Sequence, residues 1–235
     1  MSPIGDLTIL VPVDVSEPGS PTLGVLDFLQ PNEVILLGYF PVPDQAEPAH
    51  LKDEFESEAA ARLSDIADGR EKLREVLVFT HDREATIDRV ADQYDCDAVL
   101  TAGETKNIDA ILVPLRGAVN LDRIVSVVAN LLHASAATAT LFHSVAEDGD
   151  IDHADELLQR ALEALVEQGI NRDRLYRRLS EEGDPHGEIA ALGGEHDLVV
   201  LGETDPSLRE RIIGSFLTRV IDETEIPSLV VRDIE

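Results

Sequence analysis

Short apolar runs alternate with amphipathic stretches along the chain, and this pattern predicts parallel strands flanked by helices. Leu7 to Val13 (LTILVPV) is short, β-rich and continuously apolar, as a buried strand should be. A brief helix is predicted over Pro21 to Leu29 and a second strand over Glu33 to Phe40. The prolines at 41, 43 and 48 then mark a loop, because proline fits neither a helix interior nor a central strand. From His50 to Ala67, Leu51, Phe55, Ala59, Leu63 and Ile66 recur at helical spacing with acidic residues on the opposite face. Strands follow at Glu75 to Thr80 and Ala98 to Ala102, separated by a helix over Glu84 to Tyr94.

At Asp109 to Leu115 (DAILVPL) the pattern restarts, and ILVPL repeats the ILVPV of Ile9 to Val13 about one hundred residues earlier. Helices are then predicted over Asn120 to His133, Asp152 to Gln168, Pro185 to Gly193 and Pro206 to Thr224. Strands are predicted over Ala139 to Val145, Leu175 to Ser180, Leu198 to Leu201 and Pro227 to Val231. Asp184-Pro185 and Asp205-Pro206 read as helix starts, with Asp as cap and Pro in the first turn. The reading is an internal duplication: two tandem open parallel-sheet α/β domains, residues 1–107 and 108–235. The first passes almost directly from its fourth strand into the second and so lacks its last helix and strand.

Composition narrows the function. Forty-seven acidic residues against 19 basic ones give a net charge of −28, spread along the chain and repulsive to nucleic acid and anionic membranes. Nearly all the cations are arginine; the lysines are Lys52, Lys72 and Lys106. Such a surface suits high salt, as in halophilic archaea, where counterions screen its self-repulsion; an ordinary acidic protein is the plainer alternative. Hydrophobic residues (43%) suffice for a core, which must rest on aliphatic side chains because aromatics are only 4%. Cys96 is the single cysteine, so no internal disulfide can form, and Asp95 and Asp97 beside it disfavour the thiolate. No basic residue precedes the first apolar run and no apolar run approaches membrane-spanning length, so a cytoplasmic protein is expected.

Two segments carry a family resemblance. Leu10 to Ser16 reads LVPVDVS, and Val199 to Val231 reads VVLGETDPSLRERIIGSFLTRVIDETEIPSLVV. Together they resemble the opening strand and turn, and the closing strand, loop, helix and strand, of the universal stress protein family. The resemblance implies a Rossmann-like fold of the adenine nucleotide alpha hydrolase type. It also implies a non-catalytic regulatory role with ATP or AMP as ligand. Family members that bind ATP use G-x2-G-x9-G-(S/T) after the fourth strand and an Asp at the end of the first.

The chain departs from that pattern. Asp205 replaces the second glycine, eight residues separate it from Gly214, and Arg116 stands where the second copy should carry the first-strand Asp. The first copy has that residue, Asp14, but its Leu100 to Lys106 (LTAGETK) lacks the glycine pattern. The candidate binding residues are Gly202, Thr204, Gly214, Ser215 and Arg116. Backbone N–H groups at glycines and a serine hydroxyl suit a phosphate. Gly202 could instead simply end a strand, Gly214 and Ser215 could allow close helix packing, and Arg116 could pair with Glu203 or Asp205. The rival reading is a nucleotide-free module docking on a partner such as a membrane transporter. A homodimer through the last strand is expected, because an apolar edge strand needs a partner.

Other chemistry finds little support. The seven histidines form no i, i+4 pair and no HExxH, so no zinc site is expected. His81 and His143 fall at strand ends, where a ligand or the plain sheet rim are both possible settings. Neither a GxSxG elbow nor a phosphate-loop lysine motif occurs, and no reaction is indicated.

Overall fold

The computed structural model describes residues 7–16, 23–30, 32–101, 107–116, 120–145, 149–203 and 227–233. In chain order the elements are β1 (Thr8–Asp14), α1 (Leu23–Leu29), β2 (Glu33–Pro41), α2 (Pro48–Ala67), β3 (Leu73–Thr80), α3 (Arg83–Gln93) and β4 (Ala98–Thr101). They continue with β5 (Ala110–Pro114), α4 (Leu121–His133), β6 (Thr138–Ser144), α5 (Ile151–Glu167), β7 (Leu175–Ser180), α6 (Pro185–Gly193), β8 (Leu198–Gly202) and β9 (Ser228–Val231). The pattern-based boundaries agree within two residues. The helix expected over 206–224 lies outside the described residues.

The strands form one sheet in the order β3-β2-β1-β4-β9-β8-β5-β6-β7. Each half repeats one topology, β3-β2-β1-β4 on one side and β7-β6-β5-β8 on the other, with parallel neighbours throughout. The duplication extends to single hydrogen bonds. Asp97 accepts the Thr8 N–H at 2.9 Å through Oδ2, while its own N–H donates to the Thr8 carbonyl. One hundred residues later, Asp197 accepts the N–H groups of Asp109 and Ala110, each at 2.9 Å, and its N–H donates to the Ala110 carbonyl. Each aspartate thus fastens the start of its half's first strand to the start of its fourth.

Strand alternation sorts the core. Ile9, Val11, Ile111, Val113, Leu198, Val200, Leu229 and Val231 face α1, α2, α4 and α5 in one cluster that runs through both halves. The opposite face is split: α3 covers Leu10, Ile35, Leu37 and Val99, whereas α6 packs with Leu112, Phe142, Val199, Leu201 and Val230. Helix starts follow from capping. Asp82, Asp150 and Asp184 each accept an N–H of the first turn of α3, α5 and α6, and Pro185 opens α6.

The last strand is not an edge. β9 pairs in parallel with β8 and antiparallel with β4, in the register Ala98↔Val231 to Thr101↔Ser228. The expected homodimer through this strand is therefore corrected, because both of its hydrogen-bonding edges are occupied within the chain. The edges of the described sheet are β3 and β7, which carry Arg74 and Glu75, and Arg177 and Arg178. Across the β4–β9 seam, Thr101 donates its hydroxyl to the Ser228 carbonyl and accepts the Ser228 N–H. Arg232 reaches back to the Asp92 carboxylate and the Cys96 carbonyl, and Arg123 of α4 pairs with Asp97 at 2.9 Å.

Leu229 is fully buried in the cluster shared by both halves. Leu229→Ala should cost about 2–5 kcal/mol of stability, measured by chemical denaturation, and lower both halves together in a single transition.

Candidate functional site

In an open parallel sheet, ligands bind beyond the carboxyl ends of the strands where the order of connection reverses. In the second half that point is the crevice between β5 and β8, and two expected residues flank it. Arg116 follows β5 and is exposed; Gly202 ends β8 and is buried. Beside the crevice, around the ends of β5 and β6, lies a cavity of about 380 Å3. Its floor is apolar, formed by Leu115, Phe142, Val145, Leu157 and Ile189; Arg116, His143, Ser144, Asp150 and His153 supply its polar groups. The size falls in the range of roughly 300–1,000 Å3 typical of small-molecule sites. Helix starts meet it from both faces of the sheet: Asp150 and His153 at the start of α5, and Pro185 at the start of α6. Both starts are already capped by carboxylates, Asp150 accepting the His153 N–H and Asp184 the Gly187 N–H.

Local bonds set the walls. The Leu115 N–H donates to the Phe142 carbonyl, and the Val145 N–H donates to the Ser180 carbonyl, so β5, β6 and β7 end in step. The Leu115 carbonyl lies 2.6 Å from His143 Nδ1, and the Ser144 hydroxyl donates to Glu188 of α6. Glu203, just past β8, donates its N–H to the Val231 carbonyl and accepts the Asp233 N–H through Oε2.

Gly202 has a packing role that does not depend on a ligand. A Cβ there would lie 2.5 Å from Ile124 Cδ1, so the bare Cα admits α4 against the sheet. Thr204, Gly214 and Ser215 lie outside the described residues, as does Asp205. Of the five candidates, Arg116 and Gly202 are therefore the two whose positions are described. The walls contributed by α5 and α6 were not among the candidates. The caps Asp150 and Asp184 were the available signal, since each aims a helix start at the strand ends.

The first half differs at the corresponding place. Asp14 ends β1, where its Oδ1 accepts the Ser16 N–H at 2.8 Å and the Ser16 hydroxyl at 2.6 Å. Among the described residues, the space beside β1 and β4, bounded by α3, is about 30 Å3. His81 stays at the rim, exposed, with Nδ1 at 3.1 Å from the Val42 carbonyl. Among the described residues, no group of three or more His, Cys, Asp or Glu is arranged to hold a metal. No helix among them is long and apolar enough to cross a membrane.

Two titrating groups near the seam are perturbed. Burial, with smaller contributions from Asp97 and Asp95 and with Arg232 opposing, pushes the Cys96 thiol up to about 12. Cys96 is fully buried, so burial, more than the neighbouring acids, quenches it. Burial likewise raises Asp88 to about 6; Arg232 opposes the shift and Asp92, Glu203 and Glu84 add to it. Asp88 Oδ1 is buried without a hydrogen-bond partner.

The sequence profile of the universal stress protein family matches residues 107–232. A universal stress protein from Archaeoglobus fulgidus DSM 4304 superposes with a TM-score of 0.64 at 16% identity, covering 96% of each chain. A functionally unknown protein from Pseudomonas aeruginosa PAO1 superposes with a TM-score of 0.55 at 15% identity, covering 97% of this chain and 93% of that one. A universal stress protein from Archaeoglobus fulgidus in complex with dAMP covers 52% of this chain and 96% of its own, with a TM-score of 0.43 at 20% identity. None of the curated proteins matches the chain at a significant level.

Three outcomes are expected. Gly202→Ala should lose about 1–3 kcal/mol of stability in denaturant unfolding, and adding Ile124→Val, which removes Cδ1, should restore part of it. Asp88 has a folded pKa above its unfolded value, so its contribution to stability is complete below about pH 4 and lost as pH rises through about 6. Asp88→Asn should therefore raise the melting temperature at pH 7.5, and the gain should shrink towards zero at pH 4. Native protein should leave Cys96 unalkylated by iodoacetamide at pH 8, with labelling only after unfolding.

Proposed function

The chain belongs to the universal stress protein family, and from that premise we propose that it is a non-catalytic regulatory protein. Its second half, residues 108–235, binds a nucleotide such as ATP or AMP, or a related anion. The observation that carries this reading is the cavity of about 380 Å3 at the ends of β5 and β6, beside the crevice between β5 and β8. Its apolar floor suits the faces of a base, and its polar groups include the Arg116 cation, suited to an anion. Gly214 and Ser215 supply the phosphate-binding groups of the family pattern, with Thr204 as a further donor. Gly202 keeps α4 close beneath the end of β8. In this reading Arg116 replaces the usual carboxylate at the end of the first strand and balances Asp205. The first half is the framework on which this site is mounted, and the acidic surface keeps the protein soluble in a salt-rich cytoplasm.

Calorimetry with ATP and AMP on the intact chain in molar potassium chloride tests this. Saturable binding is expected, lost in Gly214→Asp and weakened in Arg116→Glu. Folded protein that binds neither nucleotide overturns the reading and leaves a docking module for a protein partner in its place.

A further inference from the structure

The two outer edges of the sheet, β3 and β7, are built differently. In β3 the Lys72 carbonyl accepts the Val34 N–H at 2.9 Å, and the Thr80 carbonyl accepts the Val42 N–H at 2.8 Å. Alternate residues of a parallel strand bond to the same neighbour, so the backbone groups of Leu73, Glu75, Leu77 and Phe79 point away from β2. Among the described residues, nothing bonds to them. At β7 the Ser180 carbonyl accepts the Val145 N–H, and the same alternation points Leu175 outwards. There Arg172 takes both groups: its carbonyl accepts the Leu175 N–H, and its Nη1 donates to the Leu175 carbonyl at 2.6 Å.

The side chains of β3 suit a contact. Arg74 and Glu75 are drawn back onto their own molecule, the guanidinium 5.4 Å from the centre of the Tyr94 ring and the carboxylate accepting the Ser64 hydroxyl at 2.8 Å. Beyond them Val76, Leu77, Val78 and Phe79 are apolar and half-buried. Phe79 stacks on Phe40 at 4.8 Å and Phe40 on Phe55 at 5.5 Å, so three of the six phenylalanines gather at this edge. An apolar edge with free backbone groups is a template for another strand, and aromatic side chains are enriched at protein interfaces.

Charge selects the partner. In a chain of net charge −28, residues 70–83 carry Arg70, Lys72, Arg74 and Arg83 against Glu71, Glu75 and Asp82, so an equally acidic molecule can approach here. At β7 the arginines 172, 174, 177 and 178 would oppose their own copies. Two β3 strands can pair antiparallel about a two-fold axis at Leu77. This register sets Leu77 against Leu77, Val76 against Val78, Glu75 against Phe79 and Arg74 against Thr80, with no like charges opposed. At its ends it brings Lys72 towards Asp82, of opposite charge.

We propose that β3 is the interface with a second copy of this chain, joining two nine-stranded sheets edge to edge. Asp53, Glu54, Glu56 and Glu58 are exposed on α2 beside the strand, so the dimer forms in salt, which screens one acidic helix from the other. The contact uses neither β9 nor the cavity, and it stands or falls apart from the nucleotide reading.

Sedimentation of the intact chain in molar potassium chloride should give twice the mass of one chain. Leu77→Cys sets two thiols opposite each other with Cα atoms about 5.5 Å apart, within the span of a disulfide. Mild oxidation should therefore convert this variant to a covalent dimer on denaturing electrophoresis. Tyr176→Cys, exposed on β7, should run as single chains after the same treatment. Cys96 is buried and does not compete. A monomeric intact chain overturns the proposal and leaves the edge to a strand of another protein. So does a dimer that oxidation of Leu77→Cys leaves unlinked, or one that is linked through Tyr176→Cys instead.

Discussion

Everything in this molecule is organised around the antiparallel ladder between β4 and β9. The other pairs in the sheet are parallel, and each parallel run would end at an open edge: β4 in the first half, β9 in the second. An open edge of apolar residues must find a partner. Here each edge is the other's partner, and β9 is shared, being the last strand of its own half and filling the same place for the other. One face of the sheet can then carry a continuous core, in which Ile9, Leu229 and Ile111 belong to the same cluster. Two short strands alone would make a weak joint. Arg232, bonded to Asp92 and Cys96, and Arg123, bonded to Asp97, add charged hydrogen bonds on both sides of it.

Several arginines of this acidic chain sit at such junctions. Arg62 donates to the carbonyls of Val15 and Ser16 where β1 ends, and Arg174 to those of Ser135 and Ala137 where α4 passes into β6. Arg70 closes the end of α2 on the Ile66 carbonyl. A guanidinium has a planar fork of donors and suits paired carbonyl groups in a way that a lysine does not. Partly buried bonds of this kind are screened by salt less than exposed ion pairs. A surface carrying so much negative charge can therefore depend on ionic strength for its solubility while the joints of the fold depend on it much less.

The strands and helices were legible because the sheet is buried on both faces, so each strand is a short apolar run, and because aspartate caps mark the helix starts. The restart at Asp109 and the shortened first half could also be read from the pattern. What could not be read was which edge would meet which. Pattern predicts that β9 needs a neighbour but holds no register, and two copies of a chain satisfy that need as well as two halves of one. Tethering decides it, since the β4 edge is held at a high effective concentration by the same polypeptide. The cavity was hidden for a related reason. Leu115, Phe142, Leu157 and Ile189 each look like ordinary core residues in sequence, and only the convergence of β5, β6, α5 and α6 makes them one wall.

The two halves share a topology but have diverged at the ends of their strands. In the first, Asp14 accepts the N–H and hydroxyl of Ser16 at the end of β1. In the second, an arginine stands at the matching place and the strand ends open into a cavity. The two are nevertheless connected through the end of β8. Glu203, next to Gly202, binds the backbone of Val231 and Asp233, and Arg232 between them reaches Asp92 of α3 in the first half. Asp88, one turn earlier on that helix, feels the charges of both Arg232 and Glu203. The first half is in this way tied to the end of β8 through the backbone of β9 and the charge of Arg232.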